Sequence, residues 1–284
     1  MAEFILSAFS DEYAADFDEQ IKGLQKNNIP LMEIRGVSGT NVADLTENEA
    51  KEVAKKLNAG GIGISAIGSP IGKIKLRHSM DEHIEKLKRV INIAHILGTD
   101  RIRMFSFYMP HDGTSPKDHR DVVIERMGRM LDVAESENII LCHENEKGIY
   151  GESPENCLDL INVFDGRLKC VFDPANFLQC GIEVFPYAFD MLGDKLFYLH
   201  VKDVNANGDI CVAGKGLGGI PEILKILNKR DEKIVLTLEP HLFEFVGLAG
   251  LEEDDKTEIQ CRFATSEDAF DAAVVAIKEC IANI

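Results

Sequence analysis

The sequence predicts an α/β protein, a closed (β/α)8 TIM barrel of eight parallel strands, on three observations. Eight short apolar runs begin 27 to 39 residues apart, about one βα unit each. Amphipathic helical patterns fill the gaps between them. The chain has 284 residues, enough for one barrel of about 250 residues with small additions. Residues 1–284 are therefore expected to form a single TIM-barrel domain. An open doubly wound sheet would share the alternation, so closure is inferred from the count of eight.

The runs are, in order, Phe4–Phe9, Leu31–Val37, Ile62–Ile67, Arg101–Phe107, Ile139–His143, Leu168–Phe172, Leu196–Val201 and Ile234–Leu238. After the second run, Thr46-x-x-Glu49 predicts a capping box and Gly60-Gly61 a helix end. After the third, Ser79-x-x-Glu82 predicts another box, Ile84, Leu87, Ile91 and Ala94 share a helical face, and Gly98 ends the helix. After the fourth, Ser115-Pro116 starts a helix whose buried face is Val123, Met127, Met130 and Ala134. Ser153-Pro154 starts the helix after the fifth run. The acidic stretch Leu251–Glu258 breaks the pattern after the eighth and is expected to be an exposed loop or short insertion. A last helix buries Phe270, Ala273, Val274, Ile277 and Ile281.

Composition narrows the function. The net charge of −17 repels phosphate backbones, which argues against nucleic-acid and anionic-membrane partners. Seven cysteines, with no C-x-x-C pair and several in apolar runs, read as buried reduced thiols in a reducing, cytoplasmic compartment. Met1–Asp16 has no basic n-region, so it is not expected to be a secretory signal. No apolar run approaches the ~20 residues that span a bilayer.

Catalytic groups of a barrel gather at the C-terminal ends of its strands. Strands five to eight end in Glu144, Asp173, His200 and Glu239, each straight after an apolar run. Strand alternation puts Glu144 with Cys142, Asp173 with Val171, His200 with Tyr198 and Glu239 with Thr237 on one face. Three carboxylates converging in one mouth would repel one another unless a cation joined them. The four are therefore candidate ligands of one divalent metal ion. Three oxygens and one imidazole suit Mn²⁺ or Mg²⁺, with Co²⁺ and Zn²⁺ feasible. Glu33 and Arg35 at the end of strand two, Arg103 in strand four, Lys202 and His241 are candidate substrate-binding residues; structural ion pairs are the competing reading. His78, His83, His95 and His119 are expected on the surface. Gly214-Lys-Gly216-Leu-Gly218-Gly219 spells a dinucleotide fingerprint but falls too late in the chain for one. A glycine turn is the default there, with a substrate phosphate as the alternative.

The segments Leu-Cys-His-Glu144-Asn, Phe-Asp173-Pro-Ala-Asn176, Leu-His200-Val-Lys202-Asp203, Leu-Glu239-Pro-His241 and Ile-Ser-Ala-Ile-Gly-Ser69-Pro resemble those of the xylose isomerase-like barrels. That family holds sugar isomerases, ketose epimerases and inosose dehydratases, with endonuclease-IV enzymes as distant kin. The resemblance implies a metal on Glu144, Asp173, His200 and Glu239. It also implies that Glu144 and Glu239 move protons beside a carbonyl, through a metal-stabilised enediolate. Many ketose epimerases carry a substrate-touching histidine three residues after the aspartate; this chain has Asn176, a candidate substrate contact. The expected function is a sugar, sugar-phosphate or polyol isomerase or epimerase. The alternatives are an inosose-dehydratase-like lyase, a non-catalytic sugar-binding barrel and, last, a DNA-repair nuclease. Family barrels often form homo-oligomers.

Overall fold

A computed structural model describes residues 1–246 and 263–284. Eight strands form the barrel: β1 (Glu3–Ala8), β2 (Leu31–Ile34), β3 (Gly63–Gly68), β4 (Arg101–Met104), β5 (Ile140–Glu144), β6 (Leu168–Phe172), β7 (Leu196–Val201) and β8 (Lys233–Leu238). Each pairs in parallel with its sequence neighbours. The ring closes where β1 meets β8, in register from Glu3 opposite Lys233 to Ala8 opposite Leu238. The closed barrel, not the open sheet, is the fold. The stretch Leu251–Glu258 lies outside the described residues.

The helices are α1 (Phe17–Lys26), α2 (Glu47–Gly60), α3 (Met80–Leu97), α4 (Arg120–Ser136), α5 (Pro154–Val163), the short α6 (Pro174–Gln179) and α7 (Phe189–Leu192), α8 (Ile220–Leu227) and α9 (Ser266–Ala282). Their boundaries follow the local chemistry. The Thr46–Glu49 capping box is complete, whereas Ser79 accepts the Glu82 N–H as a one-way cap. Gly61 and Gly98 end α2 and α3 at φ +67° and +77°, where a side chain would be strained. The faces that begin at Ile84 and Val123 are fully buried, and Ile281 alone of the last face is half-buried. Each buried Leu, Ile, Val, Met or Phe side chain stabilises by about 1.5–3 kcal/mol.

Two apolar layers result. Outward-facing strand residues such as Leu141, Phe172, Leu199 and Leu236 join the helices in the main core. Inward-facing Cys142, Val171, Tyr198 and Val235 fill the barrel. This plug is the floor on which the polar groups at the strand ends rest.

The second and fourth runs end sooner than their hydrophobicity implied. Past Ile34, Gly36–Val37 turns into a hairpin with Thr40–Asn41. Past Met104, the backbone leaves the sheet and binds the loop after β3, with Phe105 N–H on Ile71 O at 2.8 Å and Phe107 N–H on Gly72 O at 3.1 Å. A Cβ on Gly72 would meet Phe105 O at 1.9 Å, so only glycine allows this approach.

His83 corrects the surface expectation for the helix histidines. It is 5% exposed, and its Nε2 accepts the Gly72 N–H at 2.9 Å. It anchors the loop after β3. Burial, with the nearby charge of Lys86, lowers its pKa to about 4. The cysteines correct the reading in part: Cys142, Cys157 and Cys170 are buried free thiols, and Cys180, Cys211 and Cys280 are half-buried. Cys261 lies outside the described residues.

Candidate metal centre

The sheet delivers the four candidate ligands by one rule: the chain ends a strand and the next inward side chain is polar. Glu144 closes β5, Asp173 follows β6, His200 lies in β7 and Glu239 follows β8. They are 2%, 0%, 0% and 4% exposed. Each offers one ligand atom, and those atoms all lie within 4.8 Å of one another.

His200 is the hub. Its Nδ1 is 3.0 Å from Glu144 Oε1, 3.2 Å from Glu239 Oε2 and 3.9 Å from Asp173 Oδ2. On the far side of the ring, Nε2 faces Glu33 Oε2 at 3.2 Å. A hydrogen bond donated from Nε2 to Glu33 leaves Nδ1 for the three carboxylates, the orientation a metal-binding imidazole needs. Burial opposes a charged ring, but the negative charges of Glu144 and Glu33 outweigh it and raise the His200 pKa well above its usual value. Tyr198 donates to Glu33 at 3.0 Å and fixes it from below.

Each glutamate has one oxygen pinned by an arginine and the other turned to His200. Arg103 Nη1 donates to Glu144 Oε2 at 2.9 Å. Asn176 Nδ2 reaches Glu144 Oε1 at 3.2 Å and Asn145 O at 2.9 Å. Arg35 Nη1 donates to Glu239 Oε1 at 2.9 Å. The rest of the Arg35 fork grips Asp11 through both carboxylate oxygens, at 2.9 and 3.1 Å, and Glu12 at 3.1 Å. The guanidinium packs between the rings of Phe9 and Phe245, 4.3 and 4.7 Å from their centroids. Burial works to raise the Glu144 pKa, yet His200 and Arg103 hold it down at about 2. Glu239 is likewise held well below its usual range against burial, by Lys202 first and then by His200 and His241. Asp173 goes the other way: burial outweighs Lys202 and raises it to about 6.

Asp173 also serves as the helix cap that a lone strand-end acid would be. Its Oδ1 accepts the Asn176 N–H at 2.9 Å. Its backbone is clamped by the Asn145 amide at 2.8 and 2.9 Å. That leaves Oδ2 for the cluster. Asp173 Oδ2 and Glu239 Oε2 are both buried and accept no hydrogen bond. Such atoms are costly to desolvate. Among the described residues, Asp11, Glu12, Glu33, Glu144, Asp173 and Glu239 are buried carboxylates around three fixed cations, Arg35, Arg103 and Lys202. Orphaned oxygens, net negative charge and a three-carboxylate, one-imidazole donor set together fit a divalent cation.

All six other predicted site residues border this cluster. Glu33 supports His200; Arg103 and Asn176 hold Glu144; Arg35 holds Glu239. Lys202 Nζ is 3.0 Å from Asp173 Oδ2. His241 Nε2 is 3.3 Å from Glu239 Oε1, and its backbone N–H donates to Glu12 Oε2 at 2.7 Å. The sequence reading missed Asp11 and Glu12. They stand two and three residues past the first run, in a helical turn, whereas Glu144, Asp173 and Glu239 follow their runs at once, so the strand-end rule did not reach them.

The glycine-rich segment is a turn organised by Asp203. Its amides are already taken: Asp203 accepts the N–H groups of Gly214, Gly216 and Gly218 at 2.9–3.0 Å. A Cβ at Gly216 would meet Asp203 Oδ1 at 2.2 Å. The Gly214, Gly216 and Gly218 amides are thereby closed to a phosphate. Among the described residues, no helix is long and apolar enough to cross a membrane.

Barrel, strand-end cluster and buried histidine define the class: a parallel barrel with a candidate metal centre at its C-terminal mouth. The model of the xylose isomerase-like TIM barrel family matches residues 25–264, and the chain belongs to that family. Similar solved structures include the IolI protein with a bound zinc atom, at TM-score 0.75 and 14% identity over 98% of both chains. A D-allulose 3-epimerase from Methylomonas sp. in complex with D-allulose aligns at TM-score 0.74 and 13% identity, again over 98% of both. The probable 3-DHS dehydratase AsbF from Bacillus anthracis aligns at TM-score 0.70 and 15% identity, over 98% of this chain and 99% of that one. At these identities the likeness establishes the fold. No curated protein matches the sequence.

Proposed function

We propose that this protein is a cytoplasmic, divalent-metal-dependent isomerase or epimerase of a sugar, sugar phosphate or polyol, built as one domain. Glu144, Asp173, His200 and Glu239 would hold the ion, with Mn²⁺ or Mg²⁺ favoured by the oxygen-rich set and Zn²⁺ or Co²⁺ acceptable. Such an ion would polarise a substrate carbonyl and offset the negative charge that develops on it.

The observation that carries the reading is the matched pair of glutamates. Glu144 and Glu239 come from strands separated by two others, and each has one oxygen fixed by its own arginine. Each therefore presents its second oxygen from a set direction. One, as the carboxylate, removes the proton on the carbon beside the carbonyl; the other, after taking a proton from solvent, delivers it from the opposite side, and the first then releases its proton to solvent. Arg103 and Arg35 each hold one oxygen of these carboxylates in place. An epimerase relative crystallised with D-allulose supports the substrate class.

A second reading is a lyase that uses the same proton abstraction and expels a β-hydroxyl. Asn176, standing where many ketose epimerases have histidine, weighs against a close ketose-epimerase reading and leaves isomerase and lyase chemistry open. The test is a panel of sugars and polyols incubated in D₂O with Mn²⁺-loaded protein and followed by NMR and mass spectrometry. Deuterium entering one substrate carbon at unchanged skeleton mass supports the first reading. Loss of one water supports the second. No exchange with any substrate contradicts both.

A further inference from the structure

Lys202 has no part in the proton transfers. It lies two residues beyond His200 on the same face, and its side chain is 5% exposed. Its ammonium is 3.0 Å from Asp173 Oδ2 and 3.6 Å from Glu239 Oε2. These are the same two oxygens that accept no hydrogen bond. The other oxygen of each carboxylate is occupied, Asp173 Oδ1 by the Asn176 N–H and Glu239 Oε1 by Arg35. Lys202 therefore approaches two ligand atoms by charge, without a directed bond.

We infer that Lys202 is a built-in counter-ion of the ligand set, opposing divalent-cation binding and thereby setting its affinity. The inference rests on the metal reading above. A cation held by Asp173 and Glu239 comes within a few ångströms of a positive charge in a buried, weakly screened site. In the metal-free protein the same ammonium offsets the repulsion between two buried carboxylates, and losing it leaves them uncompensated. The lysine thus favours the metal-free state at the expense of the loaded one, and the coupling is reciprocal. A lysine that only packs would leave cation affinity unchanged.

The test is calorimetric titration of Mn²⁺ into metal-stripped wild type, Lys202→Met and Lys202→Arg, with thermal melts of each before and after loading. Lys202→Met is expected to bind Mn²⁺ at least about tenfold more tightly. It should melt lower when stripped and gain more on loading. Lys202→Arg keeps the charge and should stay near wild type. Equal or weaker Mn²⁺ binding by folded Lys202→Met overturns the inference. If the stripped Met variant does not fold, ¹⁵N-lysine spectra of wild type decide. The ammonium signal that vanishes in Lys202→Arg must move on Mg²⁺ saturation, and an unmoved signal overturns the inference. Should wild type itself take up no divalent cation, the metal reading of the whole site falls, an outcome distinct from unaltered affinity in the variant.

Discussion

The two halves of the barrel mouth do different work. β5 to β8 each place one ligand-type side chain at a strand end: Glu144, Asp173, His200 and Glu239. β1 to β4 place the groups that hold them: Glu33 behind His200, Arg35 on Glu239, Arg103 on Glu144, with Asp11 and Glu12 bracing Arg35. Donor atoms alone would be a knot of mutual repulsion. The opposite half supplies the charges and directions that make the knot a site. The comparison teaches that the proposed ligands come from one half alone, while support comes from both, with Asn145, Asn176 and Tyr198 adding to it from the second half.

Breaking a donor should have the largest effect on turnover. Glu239→Gln should lower kcat by about 10²–10⁴-fold while circular dichroism shows an intact fold. Unaffected proton exchange at the substrate carbon would remove its acid–base role. Breaking a brace should fall on stability instead. Arg35→Met leaves Asp11, Glu12 and Glu239 buried without their cation, and urea denaturation should register a loss of about 3–5 kcal/mol. A variant as stable as wild type would show that the Arg35 fork is dispensable.

A conservative change sharpens the contrast. Arg103→Lys keeps the charge but loses the planar donor set, so Glu144 should stay ionised yet lose its aim. Steady-state kinetics should show kcat reduced about tenfold or more with little change in melting temperature. An equal loss of both would make Arg103 a structural residue. The smallest effect belongs to His83, outside the mouth. Its folded pKa of about 4 lies below its ordinary 6.5, so the unfolded chain binds a proton that the folded one does not. Stability is therefore lost as pH falls from about 6.5 toward 4, by up to roughly 3 kcal/mol from this group. His83→Gln, which can still accept the Gly72 N–H, should flatten that slope in urea titrations at pH 7 and 5. An unchanged slope would assign the acid sensitivity elsewhere.

The same division explains what the sequence disclosed. The second half was legible because a ligand follows its strand immediately: apolar run, then Glu144 or Asp173, with alternation giving the face. Strand count and helix caps were legible too, since Thr46, Ser153 and Gly98 act within a turn of chain. The first half was partly hidden. Arg35 meets Glu239 across 204 positions of sequence, a distance local pattern does not bridge. Asp11 and Glu12 lie in a turn after β1 where nothing periodic marks them. His83 misled because a histidine at a polar helix start resembles a solvated one. Its burial follows from the loop after β3 folding back over it. The glycine-rich segment was legible as a turn, since its late position set the fingerprint aside, and its amides at Gly214, Gly216 and Gly218 serve Asp203.

The central claim is that four side chains from consecutive strands close on one divalent cation. Crystals of the protein grown with Mn²⁺, with anomalous diffraction collected near the manganese edge, test it most directly. The account predicts one strong anomalous peak within about 2.0–2.4 Å of a carboxylate oxygen from each of Glu144, Asp173 and Glu239 and of His200 Nδ1. No peak among these residues at saturating Mn²⁺, with Asp173 and Glu239 still paired to Lys202, would contradict it.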